Sequence, residues 1–120
     1  EQYGENFMDI NEKEVNGVSV LKLSGRLDAE TSGDLAVRLA YMIEKKKYNL
    51  VLDLSSLEYI SSAGLRVVLE ITKKTRLKGG NTYLVNIQEY VSKVLDISGL
   101  SSFLKIADSV DNAVKQFQQT

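Results

Sequence analysis

The run Leu50-Val51-Leu52-Asp53-Leu54 is, apart from Asp53, apolar on consecutive rather than alternating positions. It therefore specifies a strand buried on both faces, which requires a sheet with helices packed on each side. A short polar connection through Ser55, Ser56, Leu57, Glu58, Tyr59 and Ile60 is expected to follow. Ser61-Ser62-Ala63-Gly64 then leads into Leu65, Val68 and Leu69, where the apolar period becomes that of a helix. Ser61 to Gly64 would form the first turn, whose backbone N–H groups lack partners inside the helix and favour an oxyanion or phosphoryl group. A serine there is a candidate switch, and the plainer alternative is an ordinary N-cap.

The flanking segments supply the rest of such a sheet. Glu1 to Asn6 is polar and expected to be flexible, leaving 7–120 as a single domain. Phe7 to Val15 is expected to pair antiparallel with Val18 to Leu23 through the hairpin signal Asn16-Gly17, with the alternation of the second strand broken at Leu21. Thr31-Ser32-Gly33-Asp34 has the spacing of a capping box ahead of a helical face on Leu35, Leu39, Met42 and Ile43, with Lys45 to Lys47 in its last turn. After the central strand and helix, Lys73, Lys74, Arg76 and Lys78 precede a left-handed stop at Gly79-Gly80. Thr82 to Val85 is a strand, Val91, Val94 and Leu95 mark a helix ending at Ser98-Gly99, and Phe103 to Ile106 is the last strand. A terminal helix follows on Val110, Ala113, Val114 and Phe117. The order predicts an α/β fold, with a mixed, mostly parallel sheet of about five strands and about four helices. Right-handed crossovers would bring the turns near Asp28, Ser55 to Ser62 and Asn86 to one end of the sheet.

Composition removes many chemistries. With neither Cys nor His, the chain has no disulfide, no thiolate or imidazole metal site and no His-based catalysis. A net charge of -1 gives no general attraction to nucleic acid or anionic lipid, and no apolar run approaches the roughly 20 residues that span a bilayer. A cytoplasmic location is expected, without a cofactor, metal or small-molecule substrate. The basic cluster around Lys73 to Lys78 has no interleaved aromatic residues and reads as a solvated helix end. Ser102-Phe103-Leu104-Lys105 matches a Ser-x-x-Lys motif by spacing alone, because its companion motifs are missing. Asp28 and Asp53 could be imagined as an acid–base pair, but each also fits a bland role: Asp28 ordering a turn, Asp53 accepting hydrogen bonds at a strand end.

The segment Leu52 to Val67, with Ser24-Gly25-Arg26-Leu27-Asp28 upstream, resembles the STAS domain of bacterial anti-sigma factor antagonists. The resemblance runs from about Phe7 to about Phe117 in motif and element order. It implies a non-enzymatic partner-switching protein in which Ser62 is phosphorylated by a partner that is both anti-sigma factor and serine kinase, with ATP bound on the kinase. The unphosphorylated form would bind that partner, the phosphorylated form would release it, and a phosphatase would reset the cycle. Ser61 stands where the family commonly has Asp, which makes Ser61 an alternative acceptor. Asp28 and Asp53 would then support Ser62. Leu57, Glu58, Tyr59 and Ile60, with Ala63, Gly64, Leu65 and Arg66, would form the docking rim. The alternative is a STAS scaffold or accessory subunit, in a stress-signalling assembly or lipid-transport ATPase, that binds constitutively.

Overall fold

A computed structural model describes residues 8–118. The expected flexible segment, 1–6, and the expected first strand residue, Phe7, lie outside those residues. The elements are β1 Met8–Val15, β2 Val18–Leu27, α1 Thr31–Glu44, β3 Asn49–Ile60, α2 Ser62–Leu77, β4 Asn81–Val85, α3 Glu89–Ser98, a 3-10 turn Leu100–Ser102, β5 Lys105–Ala107 and α4 Val110–Gln118. They form a five-stranded sheet in the order β1-β2-β3-β4-β5, with β1 antiparallel to β2 and the other pairs parallel. The mixed, mostly parallel α/β architecture is the one its sequence pattern predicts.

Both faces of the central strands are dry. Leu21, Leu23, Leu50, Leu52, Leu54 and Leu84 join Leu35, Leu39 and Met42 of α1, Val68 and Ile71 of α2, and Val91 and Leu95 of α3 in the larger core. On the opposite face Val18, Val20, Val51 and Val85 pack on Ala113 and Val114 of α4. Leu21 therefore does not break the alternation of β2. Val18 and Val20 serve one core while Leu21 and Leu23 serve the other, as a strand covered on both sides allows. Asn16 (φ 51°) and Gly17 (φ 80°) both adopt the left-handed region that a two-residue hairpin turn requires.

The largest departure from expectation lies after Leu54. Instead of entering a connection, β3 continues to Ile60 beside the end of β2. The register shifts twice: Lys22 pairs with Asp53 but Ser24 with Ser56, and Gly25 pairs with Leu57 but Arg26 with Tyr59. Each shift inserts one extra residue into β3, which is a bulge. Two bulges turn the normal spacing of two into three, so Leu54, Leu57 and Ile60 all face the same core. Gly25, on β2 opposite the second shift, has φ 106°, a conformation open to glycine.

Smaller corrections have local causes. Thr31 lies inside α1 and does not cap it, and Lys45 to Lys47 follow the helix, which ends at Glu44 with Lys46 in the left-handed region. Phe103 and Leu104 precede β5, because the 3-10 turn consumes that stretch. Only Gly79 of the Gly79-Gly80 pair has positive φ. Gly80 is required for space instead, since a Cβ there would lie 2.0 Å from the Tyr48 carbonyl oxygen. No helix among the described residues is long and apolar enough to cross a membrane.

Candidate functional site

The end of β3 is tied to the end of β2 and to the start of α2. The Ser61 N–H donates to the Leu27 carbonyl at 2.9 Å. Ser61 is extended (φ -98°, ψ 174°) and is the N-cap of α2: its Oγ accepts from the Gly64 N–H at 3.2 Å, and its carbonyl accepts from the Leu65 N–H at 2.9 Å. The ordinary capping role thus falls to Ser61. Ser62, the first helical residue, is exposed, and its hydroxyl makes no hydrogen bond among the described residues. An exposed, unengaged hydroxyl at a helix N-terminus can accept a charged group without breaking an existing contact.

Gly64 sets how closely this helix approaches the sheet. A Cβ built on it would sit 2.7 Å from Leu27 Cγ and 3.0 Å from the Leu27 carbonyl oxygen. Leu27 is fully buried, so neither atom can retreat easily. The same residue of β2 thereby receives both the Ser61 hydrogen bond and the face of α2.

Asp28, immediately after Leu27, organises the turn into α1. Its Oδ1 accepts from the Glu30 N–H and the Thr31 N–H, each at 3.0 Å, and lies 3.2 Å from Thr31 Oγ1. Thr31 Oγ1 donates to the Arg26 carbonyl at 2.7 Å and accepts from the Asp28 N–H at 2.9 Å. These contacts replace the expected Thr31–Asp34 capping box. The Thr31 backbone N–H is the main cause holding the Asp28 carboxyl below the ordinary range. The Thr31 hydroxyl, the Glu30 N–H and the Arg26 charge act in the same direction, against partial burial. Asp53 sits where β3 stops pairing with β4; its Oδ1 accepts from the Ser55 N–H at 3.1 Å and from Asn86 Nδ2 at 3.2 Å. Neither carboxylate hydrogen-bonds Ser62. Asp28 adjoins the serine end through Leu27, whereas Asp53 belongs to the mid-strand region, well before Ile60.

The expected docking rim divides by burial. Leu57, Ile60 and Gly64 are buried and belong to the core or to the helix–sheet contact, because the segment is bulged strand and not loop. Glu58 and Arg66 are exposed, while Tyr59, Ala63 and Leu65 are half-buried. Beside them lie two residues that local pattern did not mark. The Arg26 guanidinium lies over the Tyr59 ring at 4.2 Å from its centroid, and Tyr59 stacks on Tyr90 of α3 at 5.9 Å with planes 18° apart. The three come from different elements, so no sequence spacing links them.

A bulged central strand delivering a free serine to a helix mouth, in a sheet of this order, defines a STAS-type α/β domain. The STAS domain family model matches residues 9–113. The chain belongs to the STAS-domain anti-sigma factor antagonist family. It is 34% identical over 111 residues to BtrV of Bordetella bronchiseptica, covering 92% of this chain and 96% of that protein. It is 30% identical over 112 residues to the anti-sigma F factor antagonist of Paenibacillus polymyxa, covering 92% and 96%. Its fold matches the anti-sigma factor antagonist SpoIIAA in the unphosphorylated form at a TM-score of 0.80, with 21% identity and coverage of 93% and 98%. The phosphorylated form of SpoIIAA matches at 0.70, with 21% identity and coverage of 90% and 98%.

Proposed function

We propose that this chain is a cytoplasmic anti-sigma factor antagonist that works as a binding switch and not as an enzyme. Unmodified, it binds an anti-sigma factor that is also a serine kinase; phosphorylated on Ser62, it lets go, and a phosphatase restores binding. The observation that carries this reading is the division of labour at the mouth of α2, where Ser61 is spent on the cap and Ser62 is exposed and unengaged. That division favours Ser62 over Ser61 as acceptor, since modifying Ser61 would displace the Gly64 N–H from its cap. SpoIIAA, which shares the fold, has been solved with and without phosphorylation.

The chemistry of release is local. A phosphoryl group adds about -1.5 to -2 charges and three strong acceptors at one point, so a flush contact would face repulsion and desolvation. The helix N-terminus offsets part of that charge, which leaves the domain folded. Docking would use the exposed and half-buried part of the rim: Glu58, Tyr59, Ala63, Leu65 and Arg66. Asp28 would act by fixing the β2–α1 turn beside Ser61. Incubation of wild type, Ser61→Ala and Ser62→Ala with the cognate kinase and ATP tests the assignment. Label should enter wild type and Ser61→Ala and be lost from Ser62→Ala. Equal labelling of wild type and Ser62→Ala would refute it.

A further inference from the structure

Near the serine end one guanidinium, that of Arg26, stacks on a ring without a hydrogen bond among the described residues. Arg38 pairs with Glu12, and Arg76 donates to the Phe103 carbonyl and to Asn81 Oδ1 while lying over the Phe103 ring. Arg26 lies over Tyr59 in the same manner, yet its guanidinium has no hydrogen bond or ion pair at contact distance among the described residues, and its Nε is buried without a partner. The nearest carboxylate in sequence, Asp28, already accepts from two backbone N–H groups of its turn.

A guanidinium presents five N–H donors in a rigid fork, and a dry, unpaired donor lowers folding stability unless something completes it. Stacking on Tyr59 fixes the plane of that fork, so little freedom remains to be lost when an acceptor arrives. Tyr90, 51% exposed, extends the stack outward on α3. Arg and Tyr are the residue types that concentrate binding energy in protein interfaces. Together they form a stacked ladder across β2, β3 and α3 with the half-buried Arg26 guanidinium at one end.

The geometry points to Arg26 as the anchor for a carboxylate side chain of the protein partner, seated with its apolar stem against the Tyr59–Tyr90 ladder. The inference rests on the partner-binding reading above and adds to it the chemistry of the group recognised. Arg26 directly precedes Leu27, whose carbonyl holds the Ser61 N–H. A carboxylate held by the residue next to Leu27 would carry the same sign of charge as a phosphoryl group on Ser62, so modification would oppose the contact that the arginine favours. Exposed Glu58, next to Tyr59, disfavours acids elsewhere on the rim and so sharpens the register.

The test uses unphosphorylated protein and the purified anti-sigma factor, with Kd measured by calorimetry. Arg26→Gln should weaken binding by about tenfold or more. Arg26→Lys should restore only part of the loss, because an ammonium neither forks nor stacks. Lys22→Gln, which removes an exposed cation elsewhere on β2, should stay within about twofold. Tyr90→Ala, on an exposed helix position, should also weaken binding and covers the case in which Arg26→Gln folds poorly. The inference is overturned if Arg26→Gln, folded, binds no worse than Lys22→Gln, or if Tyr90→Ala binds as wild type where Arg26→Gln cannot be used. If Ser62→Asp binds as tightly as wild type while Arg26→Gln does not, the switch reading fails and the anchor stands. If wild type itself does not bind an anti-sigma factor, both fall.

Discussion

At the scale of single residues, two adjacent serines have opposite physical roles, and stability measurements should separate them. Removing the Ser61 hydroxyl leaves the Gly64 N–H without its acceptor, so Ser61→Ala is expected to cost about 1 kcal/mol in urea denaturation. Ser62→Ala removes an exposed group with no bond to lose and should change stability by less than about 0.5 kcal/mol. Asp28 gives a pH signature. Its carboxyl is held below its unfolded value chiefly by the Thr31 N–H, so its stabilising contribution is complete above the unfolded pKa of about 3.9. That contribution disappears as pH falls through the lower folded value. The stability difference between wild type and Asp28→Asn, followed by denaturation between pH 7 and pH 2, should favour wild type at neutral pH and shrink only in acid. A difference that grows toward low pH would contradict the assignment. The sequence exposed Ser61, Ser62 and Asp28 as candidates, but not who holds what. The Asp28–Thr31 turn was hidden because Thr31 and Asp34 have capping-box spacing. Arg26, Tyr59 and Tyr90 meet only in three dimensions.

At the scale of elements, the helix that carries Ser62 is placed by contact with one leucine. Gly64→Ala would force a methyl group against Leu27 Cγ and its carbonyl oxygen, and overpacking of this kind costs about 1 to 3 kcal/mol. Because the displaced element is the N-terminal turn of α2, the proposed phosphorylation of Ser62 should slow alongside the loss in stability. A stable Gly64→Ala with wild-type phosphorylation would show that this close approach is dispensable. The strand before it explains where sequence reading stopped. Leu50 to Leu54 is legible because strands buried on both faces carry successive apolar residues, and Val18 to Leu23 through its alternation and the Asn16-Gly17 turn before it. Leu54, Leu57 and Ile60 are spaced by three, which fits neither a strand period nor a full helical stripe, and only the pairing with β2 reveals the two bulges.

At the scale of the molecule, the two cores lie on opposite faces of one sheet, and Ser62 is exposed outside both. Adding negative charge at Ser62 should therefore leave global stability almost intact. Ser62→Asp is expected to melt within about 3 °C of wild type by circular dichroism, with any shift upward, since an acid in the first turn of a helix is favourable. A drop of about 10 °C would contradict the proposal that charge at Ser62 acts by loss of a contact and not by unfolding. Element order and fold class follow from sequence because hydrophobic period and turn residues are local signals. The site depends on how β2, β3 and the mouths of α1 and α2 converge on Leu27, which no local signal encodes.

The doubled bulge makes β3 a spacer whose length counts for more than its exposed side chains. Trading Ser55 or Glu58 for another polar residue leaves the phase of the strand unchanged. Deleting either one removes a half-step, rotating Ile60 out of the leucine layer or drawing the serine back along the sheet. The chain can thus vary what it shows to a partner along this edge, but not the number of residues it takes to get there.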